Sequence, residues 1–321
     1  MKTHQLAIVI PAYKITFFRQ SIESIVNQTC KNFTLYIGDD ASPDDFSEII
    51  NYCKNEINTV YKRFEENLGR RNLVSHWNRC INMVQDEQWI WLFSDDDIME
   101  CNCVELFYKH ILINVNDALL HFNLKIINEN NTRIFKPKNF KSHYSTIEYF
   151  ENIIKSSIYS CAVEYIFKKE VFVKVSGFEP FDLAWTTDNA TWMKLSLYGG
   201  ITTIEGASVK WRLSTLNISS ISNDKNIVLR KINASVNYLQ WAKQFFVSNN
   251  LTDVTSEFDK IHWLLTTVVY TSSLSYSEKY WIIINDLKKL NLASLKLKTM
   301  IIWLLEEFKR NIKLITYYKG Y

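Results

Sequence analysis

The 321-residue chain is 47% hydrophobic and 14% aromatic, enough apolar material for a large packed interior, and this excludes a disordered protein. A formal net charge of only +3 excludes the broadly basic surface of a nucleic-acid binder. Six scattered cysteines, with no CxxC pair and no Cys/His cluster, exclude a zinc module and read as reduced thiols of a cytosolic protein.

"LAIVIPAY" (6–13) is a continuous apolar run closed by a proline, as in a central parallel strand. Residues 17–28 space Phe18, Ile22, Ile25 and Val26 as a helix face, and "FTLYIGDDASPDD" reads as a second strand ending in an acidic turn. "FSEIINYCKN" is the next helix, "NTVYKRFEE" a third strand, and "RNLVSHWNRCINMVQ" a helix. "EQWIWLFSDDD" is the fourth strand and "CVELFYKHILIN" the helix after it. The alternation predicts an α/β, Rossmann-like, doubly wound sheet, whose ligands bind at the carboxyl ends of the strands. Three such ends carry polar groups here: Tyr13-Lys14, Asp39-Asp40 and Asp95-Asp96-Asp97.

Beyond residue 115 the pattern changes. "DALLHFNLKIINEN" and "TRIFKPKNF" predict a hairpin, "TIEYFENIIKS" a short helix, and Trp185–Leu197 a helix opening at Asp188. "ITTIEGASVKWRLS" predicts a strand pair, and after a polar joint near 220 the chain reads as helical. The expected organisation is residues 1–220 as one domain, in halves 1–115 and 116–220, followed by a helical region over 221–321.

No secretory signal is read, and no apolar run reaches the length of a membrane span. The expected location is the cytoplasm, with peripheral contact at the inner face of the membrane through the C-terminal helices. There Leu297, Ile301, Leu304/Leu305, Phe308, Ile312 and Ile315 share a face, and from Trp281 onward 8 Lys/Arg stand against 3 acids. That face suits anionic lipid, or packing on its own domain or a partner chain such as a second copy; packing is the commoner use of such a helix. The six histidines show no ligand spacing and read as structural or surface residues.

An acidic turn at a strand end can hold a divalent cation, which takes oxygen ligands and keeps one or two carboxylates beside substrate phosphates. Taken alone, "SDDD" fits an exposed turn equally well.

Six motifs in order, "VIPAYK", "IGDDASPDD", "NLGRRNLVSHWNRCI", "WLFSDDDI", "FVKVSGF" and "TTDNATW", resemble the family 2 glycosyltransferases of the GT-A fold, of the bacterial polysaccharide-biosynthesis type. The resemblance runs from about residue 6 to about 215 and leaves the C-terminal third uncovered. It implies a metal-dependent inverting transfer of a sugar from a nucleotide diphosphate donor, a UDP-sugar foremost, to a hydroxyl of a glycan or lipid-linked oligosaccharide. Mn²⁺ or Mg²⁺ is the implied cofactor.

Carried over by position, the resemblance places Pro11, Ala12 and Tyr13 against the base and Asp40 on its ring N–H, a contact cytosine lacks. Asn67 and Arg70/Arg71 fall where relatives place polar nucleotide contacts, Arg71 being the chosen one, and Asn72 stands where an Arg is frequent. Asp96 is the implied metal ligand, Asp95 a ribose contact, and Asp97 a donor-sugar or supporting contact; Ser94 replaces the first Asp of the usual motif. Asp188 falls in the position of the catalytic base, where Thr187 replaces a frequent Glu, and Asp182 is a nearby decoy. Arg212, with Lys210 second, is placed to reach the diphosphate.

Two rival readings remain. A nucleotidyltransferase is disfavoured because "PAYKITFF" has no glycine, and a catalytically impaired nucleotide-binding module is kept open by Ser94 and Thr187.

Overall fold

The computed structural model describes residues 5–318, with side chains through Asn311. His4, Lys319 and the side chains of Ile312, Lys313 and Ile315 lie outside the described residues. The chain divides into two compact units. One comprises the residues up to Ile153, Ser157–Pro180 and Thr187–Ser214; the other comprises Ile154–Ser156, Phe181–Thr186 and the chain from Thr215 onward.

The first unit is built on a 10-stranded mixed sheet. Its strands are β1 (Leu6–Ala12), β2 (Phe33–Asp39), β3 (Thr59–Arg63), β4 (Trp89–Leu92), β5 (Ile98–Met99), β6 (Leu119–Ile127), β7 (Arg133–Phe135), β8 (His143–Tyr144), β9 (Tyr165–Lys168) and β10 (Ile201–Arg212). The order is β3-β2-β1-β4-β9-β6-β10-β5, with β7 on β6 and β8 on β10. β1 pairs in parallel with β2 on one side and β4 on the other, and β2 pairs in parallel with β3. The chain therefore winds outward to β3 and returns to the other side of β1, which makes the β1/β4 crevice a topological switch point. β9 then joins β4 antiparallel, so the sheet is mixed.

Around this sheet run α1 (Phe18–Val26), α2 (Ser47–Glu56), α3 (Leu73–Ile81), α4 (Cys103–Ile111), α5 (Thr146–Ile154), α6 (Lys169–Lys174) and α7 (Thr187–Ser196). Burial of Leu6, Ile8 and Ile10 with Phe18, Ile22, Ile49, Ile50 and Phe107 makes one continuous core under α1, α2 and α4. The apolar run of β1 is buried on both faces, as a central strand requires.

One expected element differs. The stretch read as a strand pair is the single strand β10, whose pairing with β6 shifts register between Ile204 and Ser208. Gly206, at φ +96°, takes up that bulge; "EGA" has turn composition, but the extra residues are absorbed within one strand.

The second unit contains α8 (Lys225–Ser248), α9 (Glu257–Val269), α10 (Tyr276–Lys289) and α11 (Lys296–Tyr318). Asp224 caps α8, and Ser256 and Ser275 each form a reciprocal capping box at the starts of α9 and α10. Ile232, Ile261, Leu265, Val268, Ile283, Leu287 and Trp303 form its core. Among the described residues no helix is long and apolar enough to cross a membrane.

Candidate active site

The ends of β1, β2 and β4 bring the three polar turns together. Asp95 and Asp96 are 5% exposed and Asp97 1% exposed, so the acidic run turns inward instead of fanning into water. Asp95 Oδ2 accepts the backbone N–H groups of Tyr13 (2.9 Å) and Lys14 (2.8 Å), tying the β4 turn to the end of β1. Asp96 accepts from Lys14 Nζ at 2.6 Å and from the Ser94 hydroxyl. Asp97 accepts the Arg212 N–H at 2.7 Å.

Three crowded carboxylates disfavour one another's charge. Burial, opposed by Lys14 and reinforced by Asp96, pushes Asp95 up to about 6. Burial and then Asp96 drive Asp97 well above the usual carboxylate range. Burial alone would lower the Lys14 ammonium, but Asp95 and Asp96 together outweigh it and raise it.

Arg212 is fully buried at the end of β10. Its Nε donates to the Asp96 carbonyl at 2.7 Å, Nη1 to the carbonyls of Asn128 and Glu129, and Nη2 to Gln20 Oε1 at 2.9 Å. The guanidinium also lies over the Phe17 ring, 4.2 Å from its centroid. It thus braces the acidic turn from below. Lys210, two residues earlier in β10, is partly exposed.

At the β2 end the two aspartates have different partners. Asp39 is buried and accepts from Ser42 N (2.8 Å), Tyr61 OH (2.6 Å) and Arg63 Nη1 (2.7 Å), so it fixes the turn. Asp40 accepts from the N–H groups of Leu68 and Gly69, both at 2.8 Å, and from Arg79 Nη2. His76 Nδ1 lies 3.4 Å away, and burial holds that imidazole down at about 4, hence neutral.

Asp40 therefore pins the 66–72 loop on which Asn67 and Arg71 sit. Asn67 Oδ1 accepts the Arg70 N–H, and Arg71 is exposed with Glu66 3.5 Å away. Asn72, where an Arg was the family expectation, caps α3 by accepting from Ser75 N. Pro11 and Ala12 end β1, and Tyr13, which follows them, is 40% exposed.

Asp188 lies in the first turn of α7, where it accepts its neighbour Asn189 N–H at 2.9 Å. It retains partial exposure, yet burial pushes its carboxyl up to about 6. Asp182 belongs to the second unit and forks Arg230 at 2.8 and 2.7 Å.

Sequence reasoning passed over Glu164, just before β9. It is fully buried, takes the Cys161 N–H at 2.6 Å, and has an Oε2 with no hydrogen-bond partner. Burial first, and the charges of Asp188 and Asp97 with it, drive its pKa far upward. A lone acid inside "CAVEYIF" was the available signal; Lys14 stood out only as a polar strand end, and Arg79 and Gln20 gave none, since each is defined by its partner.

Among the described residues no three His, Cys, Asp or Glu side chains group as a metal cage. The hard carboxylate oxygens of Asp95 and Asp96 still fit a divalent cation that takes its remaining ligands from phosphate and water.

The sequence profile described as "Glycosyl transferase family 2" matches residues 7–174. An uncharacterized glycosyltransferase of Rickettsia bellii (strain RML369-C) is 37% identical over 23% of this chain and 11% of its own length. Glycosyltransferase GlyG of Streptococcus pneumoniae serotype 4 is 27% identical over 33% of this chain and 35% of its own. The matched stretches thus span well under half of these relatives. S. aureus TarS 1-349 in complex with UDP-GlcNAc superposes with TM-score 0.61 at 13% identity, covering 94% of this chain and 89% of that one. The mannosyltransferase PcManGT from Pyrobaculum calidifontis, in complex with GDP-Man and Mn²⁺, gives 0.53 at 11% identity, covering 90% and 75%. At these identities the likeness is one of fold.

Proposed function

Since this chain belongs to glycosyl transferase family 2, we propose that it transfers a sugar, with inversion, from a UDP-sugar to a hydroxyl of a glycan or lipid-linked oligosaccharide in surface polysaccharide synthesis. The observation that carries the reading is the buried acidic turn, whose Asp95 Oδ2 takes the Tyr13 and Lys14 N–H groups at the β1/β4 switch point of the sheet.

In this reading Tyr13 stacks on the base, with Pro11 and Ala12 forming the floor beside it. Asp40 has one lone-pair site left on Oδ2 for the uracil ring N–H. Asn67 and Arg71 line the nucleotide side, Asp95 orients the ribose, and Asp97 supports the donor sugar. Asp96 would hold Mn²⁺ or Mg²⁺, which supplies positive charge for the leaving diphosphate. Arg212 acts on the same diphosphate by charge from beneath the turn.

Asp188 accepts the proton of the acceptor hydroxyl as its oxygen forms the bond to the anomeric carbon. The bond from that carbon to the β-phosphate oxygen breaks, and UDP leaves with the electron pair. Partial exposure admits the acceptor to Asp188, and a pKa near 6 keeps it ionised at neutral pH while leaving it basic.

The test is UDP release from a panel of UDP- and GDP-sugars, with Mn²⁺, Mg²⁺ or chelator. Turnover with a UDP-sugar, lost in Asp96→Ala, supports the reading. Donor binding without turnover under all conditions would leave a nucleotide-binding module.

A further inference from the structure

The helix α11 is built inside out. At 3.6 residues per turn, Leu297, Ile301, Leu304, Leu305 and Phe308 share one face. They are 75%, 52%, 59%, 55% and 65% exposed. The opposite face is turned inward and mixes polar with apolar groups: Thr299, Glu306 and Glu307 are buried beside Trp303, while Met300 and Ile302 pack on the helical core. Glu307 takes Lys279 Nζ at 2.6 Å and Arg310 Nη2 at 2.9 Å, and Arg310 Nη1 donates to the Val269 carbonyl at 2.9 Å. Polar clamps therefore fix the rotation of the helix about its axis, and the apolar stripe is held outward.

The charges sort the same way. Between residues 270 and 311 the exposed ionised groups are Lys288, Lys289, Lys296, Lys298 and Lys309, against one half-exposed carboxylate, Glu278. Asp286, Glu306 and Glu307 are buried, and Glu278 is paired with Lys225. Lys289 and Lys309 reach back to Asp286 and Glu306; Lys288, Lys296 and Lys298 leave the net outward charge positive. Lys298 and Lys309 border the apolar stripe on one side, and Trp281 on α10 is 61% exposed.

We propose that this face of α11 docks on the surface of an anionic lipid bilayer, its apolar stripe entering the headgroup boundary and its lysines meeting lipid phosphates. A stripe of large apolar side chains bordered by lysine, on a helix too polar to span, has the composition of an interfacial helix. An antiparallel two-fold pairing of the same face with a second copy would set the Lys298 and Lys309 flank against itself, which repels. The inference rests on the helical unit alone and is independent of the transfer reading.

The test is sedimentation of the full chain with phosphatidylcholine vesicles, with and without about one-third phosphatidylglycerol. The wild type is expected to sediment with the anionic vesicles and to be released by salt. Ile301→Ser with Phe308→Ser should abolish sedimentation, and Lys296→Gln with Lys298→Gln should weaken it about fivefold per lysine. All four side chains are exposed, so circular dichroism and thermal unfolding should match the wild type. Sedimentation unchanged in the serine variant, or absent in the wild type, overturns the proposal. So does a dimer in ultracentrifugation that the serine variant dissociates, which would make a second copy the occupant.

Discussion

Lys14 Nζ stands 2.6 Å from Asp96 Oδ2 and 3.7 Å from Asp95 Oδ1, so the chain's own ammonium sits on the carboxylates proposed to hold a cation. Both carboxylates are nearly buried, while the lysine is partly exposed and has room to swing away. A divalent ion at Asp96 must displace this ammonium or share the carboxylate with it. Lys14→Met should therefore tighten Mn²⁺ binding by about tenfold or more, since two like charges no longer compete at short range. Calorimetric titration of Mn²⁺ into both proteins checks this. Weaker binding in the variant would show that the lysine supports the cation site.

Asp188 makes two linked expectations. Its carboxyl must be ionised to accept a proton, so transfer by the wild type should rise with pH through about 6 and then level off. Asp188→Asn should abolish transfer and spare donor binding. The stability effect runs the other way. The folded pKa is raised above the unfolded value, so the carboxyl's favourable contribution is complete below the unfolded pKa and lost as pH rises through about 6. At about pH 8 the neutral amide should therefore stabilise the protein by roughly 1–3 kcal/mol, a gain that vanishes near pH 4. Thermal unfolding at both pH values measures it. Full transfer by the variant would remove Asp188 from the base position.

The alternating sheet was legible because β1, β2 and β4 are mainly apolar runs followed by polar turns, and those turns lie together as the candidate site. Partner choice was not legible. Asp39 and Asp40 are adjacent in sequence, yet one locks onto Arg63 and the other onto Arg79, and only the fold decides which. The β10 bulge was missed because a glycine in turn composition does not reveal whether the chain reverses or merely kinks. For α11 the sequence showed a helix with two unlike faces; that the face bearing Glu307 points inward depends on Lys279, in another helix.

Glu164 should behave as a neutral acid. Its Oε1 takes the Cys161 N–H, and burial beside Asp188 and Asp97 disfavours a further negative charge. Glu164→Gln keeps the shape and the acceptor, so stability should stay within about 1 kcal/mol of the wild type and transfer within about threefold. Glu164→Ala leaves the Cys161 N–H unpaired and should cost about 1–3 kcal/mol. Chemical denaturation and UDP-release rates test both. A loss of transfer of tenfold or more in the glutamine variant would mean that the ionised form is used.

Gly69 ties the stability of the 66–72 loop to the nucleotide contact proposed for Asp40. Its N–H is donated to Asp40 Oδ2, and a Cβ at this position would lie 2.6 Å from that same oxygen. The backbone must approach the carboxylate more closely than any side chain permits. In Gly69→Ala the carboxylate must move, which weakens its bonds from Leu68 N and Arg79 and shifts the oxygen proposed to accept the uracil ring N–H. The expected outcome is a destabilisation of about 1–3 kcal/mol and at least a tenfold loss of UDP affinity. Glu65→Ala, four residues earlier and exposed, should change neither quantity and serves as the control. Thermal unfolding and UDP titration of the two variants separate the outcomes. A destabilised Gly69→Ala protein that binds UDP with wild-type affinity would confine Asp40 to holding the loop and remove it from base recognition.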